Sequence, residues 1–203
     1  MHPTPSPLPI FTAVPLVLTG IPITVAILRA KGACEEGVKL FVERYGEDGA
    51  PDYQEVLHAL AESSSARMAD WLTRAMGAAQ TETVVEGGLE VVGNVFVAGS
   101  LRVQGGIKAG EGIEAGLGIK AGLGIEAGLG IKAGDGIKAG SGIKAGSGIE
   151  AGWGIKAGWV QCGLRIFAGL VAWRLPEPHE LEIRAELRGG TIAHGVLVNS
   201  TND

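Results

Sequence analysis

An aliphatic residue recurs at every sixth position from Leu89 to Ile155, over twelve consecutive hexads. Most of these hexads read Gly-Ile-(Lys or Glu)-Ala-Gly-x, and their aliphatic residue, numbered position one here, is always Leu, Val or Ile. A period this strict is typical of a solenoid, in which each repeat packs only on its neighbours. The chain has 34 glycines among 203 residues, and their regular spacing in the hexads indicates ordered turns instead of disorder.

Each hexad predicts a short strand with its first and third residues facing a core. Because side chains alternate along a strand, position one and the valine or alanine at position three share the inner face, and position two faces outward. The residues at position two, in chain order, are Glu90, Phe96, Arg102, Lys108, Glu114, Lys120, Glu126, Lys132, Lys138, Lys144, Glu150 and Lys156. Glycines at positions four and six are expected to let the chain turn its corners.

The outward charges indicate three hexads in each coil, which is an 18-residue lap. With that lap, two of the three outward columns alternate in sign wherever they are charged, which is favourable for residues stacked one rung apart. Two hexads per coil would place Glu114 on Glu126. Four would place Lys120 on Lys144. We therefore predict a mainly β chain built on a three-sided parallel β-helix of four rungs, and the pattern is compatible with either hand.

Segments before and after the hexads predict three further units. The predicted organisation is an N-terminal arm over 1–22, an α-helical domain over 23–82, the β-helix over 83–170 and a C-terminal β-hairpin cap over 171–203. The hairpin is expected to pair strands near 181–187 and 191–198 through a turn at Gly189-Gly190. Such a cap would cover open strand edges, which otherwise promote aggregation.

Three helices are expected in the helical domain. The first would run over 24–45 from an N-cap at Thr24, although glycines interrupt it. The second would begin after Asp52, which forms a capping-box pattern with Glu55. The third would cover 66–79 and place Trp71 in a core.

The uncharged stretch 10–28 has two interpretations. It is almost long enough to cross a bilayer, but Pro15, Gly20 and Pro22 interrupt it. In the other interpretation, residues 10–18 form a buried strand or an ordered arm, and a helix begins near Thr24. We favour the arm, and a membrane location is not expected.

The third outward column is positive throughout, and it contains Arg102, Lys120, Lys138 and Lys156. With the 18-residue lap these side chains would form a ladder with ~4.8 Å between rungs. Such a ladder could bind an anionic partner, or it could be a solvated face on which long side chains splay apart. We treat these four residues as candidates for partner binding.

Trp153 and Trp159 lie at the fifth position of the last two hexads, which is a corner position. They are also candidates for partner binding, since an exposed apolar patch marks a contact site. The alternative, which we favour, is that the C-terminal segment covers both rings. Left-handed hexapeptide helices of acyltransferases prefer a small residue at this position, and these bulky residues depart from that pattern.

Catalytic motifs are absent from the sequence. There is no P-loop, HExxH or GxSxG pattern, and the four histidines form no metal-spaced set. We expect no enzymatic activity, no cofactor and no metal. The net charge of −5 gives no specific signal for nucleic-acid binding. Two cysteines without a CxxC pair are typical of a cytosolic chain with reduced thiols.

Two segments resemble uncharacterised proteins of phages and prophages. One is ITVAILRAKGACEEGVKLFVERYG over 23–46, with DWL at 70–72, which is similar to a small helical module of mobile elements. The other covers 85–167, where glycine-rich hexads read GIKAG, GIEAG and WGIKAG and end near LRIFAGL. The resemblance implies an accessory protein of a mobile element in the cytoplasm of a bacterial host, and it carries over no catalytic residues.

Three functions remain open at this stage. The first is a non-enzymatic protein, expected to be a homodimer, that binds a host protein or protein complex and inhibits a bacterial defence system of the CRISPR type. The second is a self-assembling structural solenoid similar to bactofilin. The third is a degenerate hexapeptide-repeat transferase, which the absence of histidine from the hexads disfavours.

Overall fold

The computed structural model describes residues 10–11, 13–171 and 174–198. These residues form a mainly β protein with a parallel β-solenoid of about six turns, a short N-terminal helical region and a C-terminal pair of long strands. The predicted fold class is confirmed, but the solenoid has about six turns instead of the four rungs expected from the hexads alone.

Sixteen described strands form the solenoid, and every strand pair runs parallel. The strands are β1 Ile10–Phe11, β2 Glu82–Val85, β3 Gly88–Val91, β4 Val95–Val97, β5 Ser100–Val103, β6 Ile107–Ala109, β7 Ile113–Ala115, β8 Ile119–Ala121, β9 Ile125–Ala127, β10 Ile131–Ala133, β11 Ile137–Ala139, β12 Gly142–Ala145, β13 Ile149–Ala151, β14 Ile155–Ala168, β15 Glu182–His194 and β16 Val196–Val198. The first face contains β3, β6, β9 and β12, the second β4, β7, β10 and β13, and the third β2, β5, β8, β11 and the start of β14.

The predicted lap of three hexads per coil is confirmed. Ile107 pairs with Ile125, and Ile125 pairs in turn with Ile143. The residues at positions one and three form one continuous core, in which Ile125 is 2 % exposed and Ala127 is 3 % exposed. Each fully buried isoleucine contributes about 1.5–3 kcal/mol through the hydrophobic effect, so every rung adds a similar increment.

The glycines at position four are required for a reason other than the one expected. They do not adopt left-handed backbone angles. Instead, they sit directly against the preceding rung, and a Cβ atom on Gly128 would lie under 3.0 Å from the carbonyl oxygen of Gly110. Position six is more open in most hexads, and at Gly130 a Cβ would lie 3.5 Å from the nearest oxygen. Close stacking of rungs therefore selects glycine at position four.

The C-terminal segment extends the solenoid. β14 continues round the prism with a lap that is shorter by a single residue, since Ile143 pairs with Val160 and not with Gln161. β15 then pairs with β14 in parallel, from Ile155 with Ile183 onward. The predicted turn at Gly189-Gly190 is wrong, because both residues lie inside β15. Gly190 has φ of 95°, and the register shifts beside it, so the glycines bend one strand round a corner instead of reversing the chain.

A loop between β14 and β15 is fastened by one buried carboxylate. Glu180 lies in the 3-10 helix Pro178–Leu181 and pairs with Arg174. It also accepts a hydrogen bond of 2.8 Å from the backbone N–H of Glu177. The Arg174 guanidinium and this N–H lower the pKa of Glu180 to about 2, so the carboxylate keeps its charge far into acid.

Four helices precede the solenoid: α1 Val25–Ala30, α2 Glu35–Tyr45, α3 Tyr53–Glu62 and α4 Ala66–Met76. The single first helix expected over 24–45 is wrong, because Gly32 takes φ of 81° and separates α1 from α2. The N-cap at Thr24 and the capping box of Asp52 with Glu55 are confirmed. None of the described helices has the length and apolar character needed to cross a bilayer.

The arm and α3 cover two strand edges at the start of the solenoid. β1 pairs with β3 on the first face, so the interpretation of residues 10–28 as an arm followed by a helix agrees with the described backbone. On the second face, the Gln54 side chain donates to the carbonyl of Phe96 and accepts from the N–H of Ala98, both at 2.8 Å. An amide side chain thus replaces the missing strand partner of β4.

Candidate cationic interface

The third face carries a straight row of cationic side chains. Arg102 pairs in register with Lys120, Lys120 with Lys138, and Lys138 with Lys156. The next partner of Lys156 is Arg184 in β15. We call these five residues the cationic row. The sequence predicted its first four members but not Arg184, because that residue follows a loop outside the hexad period.

The middle of the cationic row has no counter-charge. At its ends, Arg102 pairs with Glu82 at 2.7 Å and Arg184 pairs with Glu182 at 2.6 Å. Among the described residues, no carboxylate lies within 4.0 Å of Lys120, Lys138 or Lys156, and all three side chains are exposed. Three positive charges therefore remain uncompensated along one line.

The first face shows the opposite arrangement, and so provides a comparison. Lys108 pairs with Glu90 at 2.8 Å, and Lys144 pairs with Glu126 at 2.9 Å. Each pair joins facing residues on neighbouring rungs, as the alternating column predicted. Outward residues of this repeat can thus neutralise each other along a column, as they do on the first face. The outward residues of the third face do not.

A shallow groove of about 330 Å³ runs beside the cationic row. It crosses successive rungs, and its floor includes Gly118, Gly136 and Gly154. Because these glycines have no side chains, a ligand lying along the row can approach the backbone closely.

Trp153 stands at the corner between the second and third faces, stacked in the predicted column with Leu117 and Asp135. The N–H of Trp153 donates to the carbonyl of Asp135 at 3.3 Å, and the N–H of Asp135 donates to that of Leu117 at 3.4 Å. The Trp153 residue is 44 % exposed, so the expected cover of this ring is wrong for the described residues. Partial burial raises the pKa of the Asp135 carboxyl at the same corner.

Trp159 differs from Trp153 because the register slips by one residue before it. Gly158, and not Trp159, continues the corner column above Ser141 through a backbone hydrogen bond. The indole of Trp159 lies over Gly142, where a Cβ atom would overlap the ring. The guanidinium of Arg188, from the C-terminal segment, lies over the ring at 5.0 Å from its centre. Trp159 is therefore partly covered, as favoured from the sequence.

The second face is occupied by the helical region near its start. Phe96 and Glu114 point outward from their strands, as predicted, but they are only 4 % and 8 % exposed. Lys132 pairs with Glu114 at 3.8 Å and also with Asp70 of α4. Burial raises the pKa of the Glu114 carboxyl, and Lys132 partly opposes that shift. These charges join the helical region to the solenoid.

The histidines of the described residues do not form a common site. His58 lies on α3, where burial lowers its pKa and its Nε2 atom has no hydrogen-bond partner among the described residues. His194 is on β15, with its Nδ1 atom 2.6 Å from the carbonyl oxygen of Ala168. The described part of the chain has no cluster of His, Cys, Asp and Glu able to hold a metal ion.

The fold and its surface define this chain as a parallel β-solenoid with a helical N-terminal region and one uncompensated cationic face. Comparison with models of protein families, with curated proteins and with solved structures found no match to this chain. A functional assignment therefore depends on the chemistry of this surface.

Proposed function

We propose that this chain is a non-enzymatic accessory protein of a phage or other mobile element, which binds a host protein complex and inhibits a bacterial defence system of the CRISPR type. The observation that carries the binding function is the line of three exposed lysines without a counter-charge among the described residues. The resemblance of segments 23–46 and 85–167 to phage and prophage proteins supports the biological setting.

The cost of the cationic row supports a binding role. Like charges on directly facing strand residues are destabilising, and two unit charges ~4.8 Å apart repel by roughly 1 kcal/mol in water. Glutamate at one position would remove this repulsion, as it does at Glu90 and Glu126 on the first face. An anionic partner that binds across the row would offset the repulsion and gain the attraction of all three lysines.

Reversing two charges of the row tests the proposal. The double variant Lys120→Glu/Lys138→Glu is expected to capture at least tenfold less of a bacterial partner than the unchanged chain, because the anionic partner would face carboxylates. The matched control is Lys108→Glu/Lys144→Glu on the first face, which changes the net charge equally and also creates a like-charged column. Affinity purification with quantitative mass spectrometry, and the activity of a CRISPR effector with each variant, are the measurements. Equal capture by both double variants would refute the surface assignment.

Self-assembly is a second candidate because the C-terminal end has an open strand edge. β16 pairs with β15 only over Glu182–Arg184, and the rest of β15 has no outer strand partner among the described residues. Val196 and Leu197 on the outermost strand are 55 % and 39 % exposed. Unpaired edges of this kind bind further strands, so the end could join a second copy of the chain.

Light scattering at rising protein concentration tests self-assembly. If the open end joins copies, the molar mass should rise with concentration, and Val196→Lys/Leu197→Lys should suppress that rise. A mass of one chain at every concentration would exclude both the homodimer and a filament. The control Val84→Lys replaces a valine on β2, at the other end of the solenoid, that is 40 % exposed.

A further inference from the structure

The spacing of the lysines restricts what can bind them. Lys120, Lys138 and Lys156 are in register on neighbouring strands, so their Cα atoms span roughly 9.6 Å over two rung intervals. The arginines at both ends of the row are already paired with glutamates. A complementary ligand must therefore present three anionic groups in a straight line at this interval.

An α-helix meets this requirement better than an extended chain. Carboxylates at positions i, i+4 and i+7 lie on one side of a helix and span roughly 10.5 Å, at 1.5 Å per residue. The helix therefore exceeds the lysine row by only roughly 1 Å. Alternate residues of an extended strand would span roughly 13 Å, which exceeds the row by more than 3 Å. The phosphates of a nucleic-acid duplex follow a helical path round its axis, so only a few of them can contact a straight row of lysines.

Trp153 adds an apolar contact beside the last lysine of the row. It precedes Lys156 by three residues in the same coil, so it lies to the side of the row. Its residue is 44 % exposed, and its neighbour Gly154 lines the groove. Exposed tryptophans that become buried on binding are among the residues that contribute most to interface affinity. A helix lying along the lysines could bury an apolar side chain against Trp153.

From this spacing and this corner we propose that the ligand of the third face is an amphipathic acidic α-helix of a partner protein. Its carboxylates at i, i+4 and i+7 pair with Lys120, Lys138 and Lys156. An apolar residue on the flank of the helix, beside the carboxylate that pairs with Lys156, contacts Trp153. The inference rests on the binding function proposed above and names the partner's chemistry. The contact belongs to the mode in which a helix lies in a surface groove.

Two synthetic helical peptides of identical composition test this inference. In one, three glutamates stand at i, i+4 and i+7, and leucines at i+8 and i+10 flank the last glutamate on its two sides. In the other, the same residues are distributed round the helix, and both are held helical by the same side-chain staple. Fluorescence anisotropy with the full chain should show at least tenfold tighter binding of the first peptide. Lys138→Glu should abolish that preference, and the matched Lys144→Glu should change the affinity less than twofold.

Three results would overturn the inference. They are equal affinities of the two peptides, no binding of either, and equally tight binding of a single-stranded DNA with the same charge. The proposed binding function is tested separately by partner capture. Suppose that reversing the charges of Lys120 and Lys138 abolishes partner capture, but the peptide with its glutamates at i, i+4 and i+7 does not bind. The binding function then stands, and the proposed helical ligand is wrong.

Discussion

Replacing Gly128 by alanine is expected to destabilise the solenoid by about 3 kcal/mol or more, because the new methyl group cannot fit between two rungs. Its Cβ would lie under 3.0 Å from the carbonyl oxygen of Gly110, which is backbone and cannot swing away. The N–H of Gly128 also donates to the carbonyl of Ala109 at 3.0 Å, so relief of the overlap would lengthen this hydrogen bond. Both effects would push the rung of Gly128 away from the rung of Ala109 and Gly110.

The matched control is Gly130→Ala, two residues further along the same hexad. Its Cβ would lie 3.5 Å from the oxygen of Gly148, which is ordinary contact, and we expect a change of under about 1 kcal/mol. Urea unfolding followed by circular dichroism measures both variants. Equal stabilities of the two would show that rung clearance is not what selects glycine at position four.

Replacing Gln54 by leucine is expected to cost about 3 kcal/mol and to loosen the start of the second face, because two buried backbone groups lose their partners. The Gln54 residue is 1 % exposed, and its amide makes hydrogen bonds to both Phe96 and Ala98. Leucine has a similar size but leaves a buried carbonyl and a buried N–H unpaired, and each such group costs about 1–3 kcal/mol. The effect should concentrate where α3 contacts β4.

Hydrogen exchange gives a local measure of this effect. The amide of Ala98 donates to Gln54 in the native chain, so it should exchange much faster in Gln54→Leu. The control Glu62→Ala removes an exposed ion pair with Arg44 from the same helix and should cost less than about 1 kcal/mol. Retained protection of the Ala98 amide would contradict the assigned role of Gln54.

The sequence predicted the repeats well because their structure is set by neighbours one coil apart. Only a lap of three hexads relieves the charge conflicts on the first and second faces, and the pairs Glu90–Lys108 and Glu126–Lys144 confirm that reasoning. Four members of the cationic row follow from the same lap. Local capping rules likewise located Thr24 and Asp52 at helix starts.

The remaining features depend on contacts that the hexad period does not encode. Burial of Phe96 and Glu114 arises from helices that pack on the second face, and no pattern within the repeats marks them. At Trp159 a single-residue slip breaks the period, so the predicted corner column fails there. Beyond it, Arg184 is brought into the row by a strand that starts after an irregular loop.

The nearly identical contacts of successive coils have a consequence for how such a chain can change its length. Removing residues 119–136, one whole lap, would leave each remaining strand on its own face and would shorten the cationic row by Lys120 alone. On the other two faces it would set Lys108 against Lys144 and Glu114 against Glu150, because the charges there alternate from lap to lap. Deleting a single hexad would instead rotate everything downstream by one side of the triangle. Lysines of the third face would then continue a different column, so only gains and losses of whole laps preserve the interface.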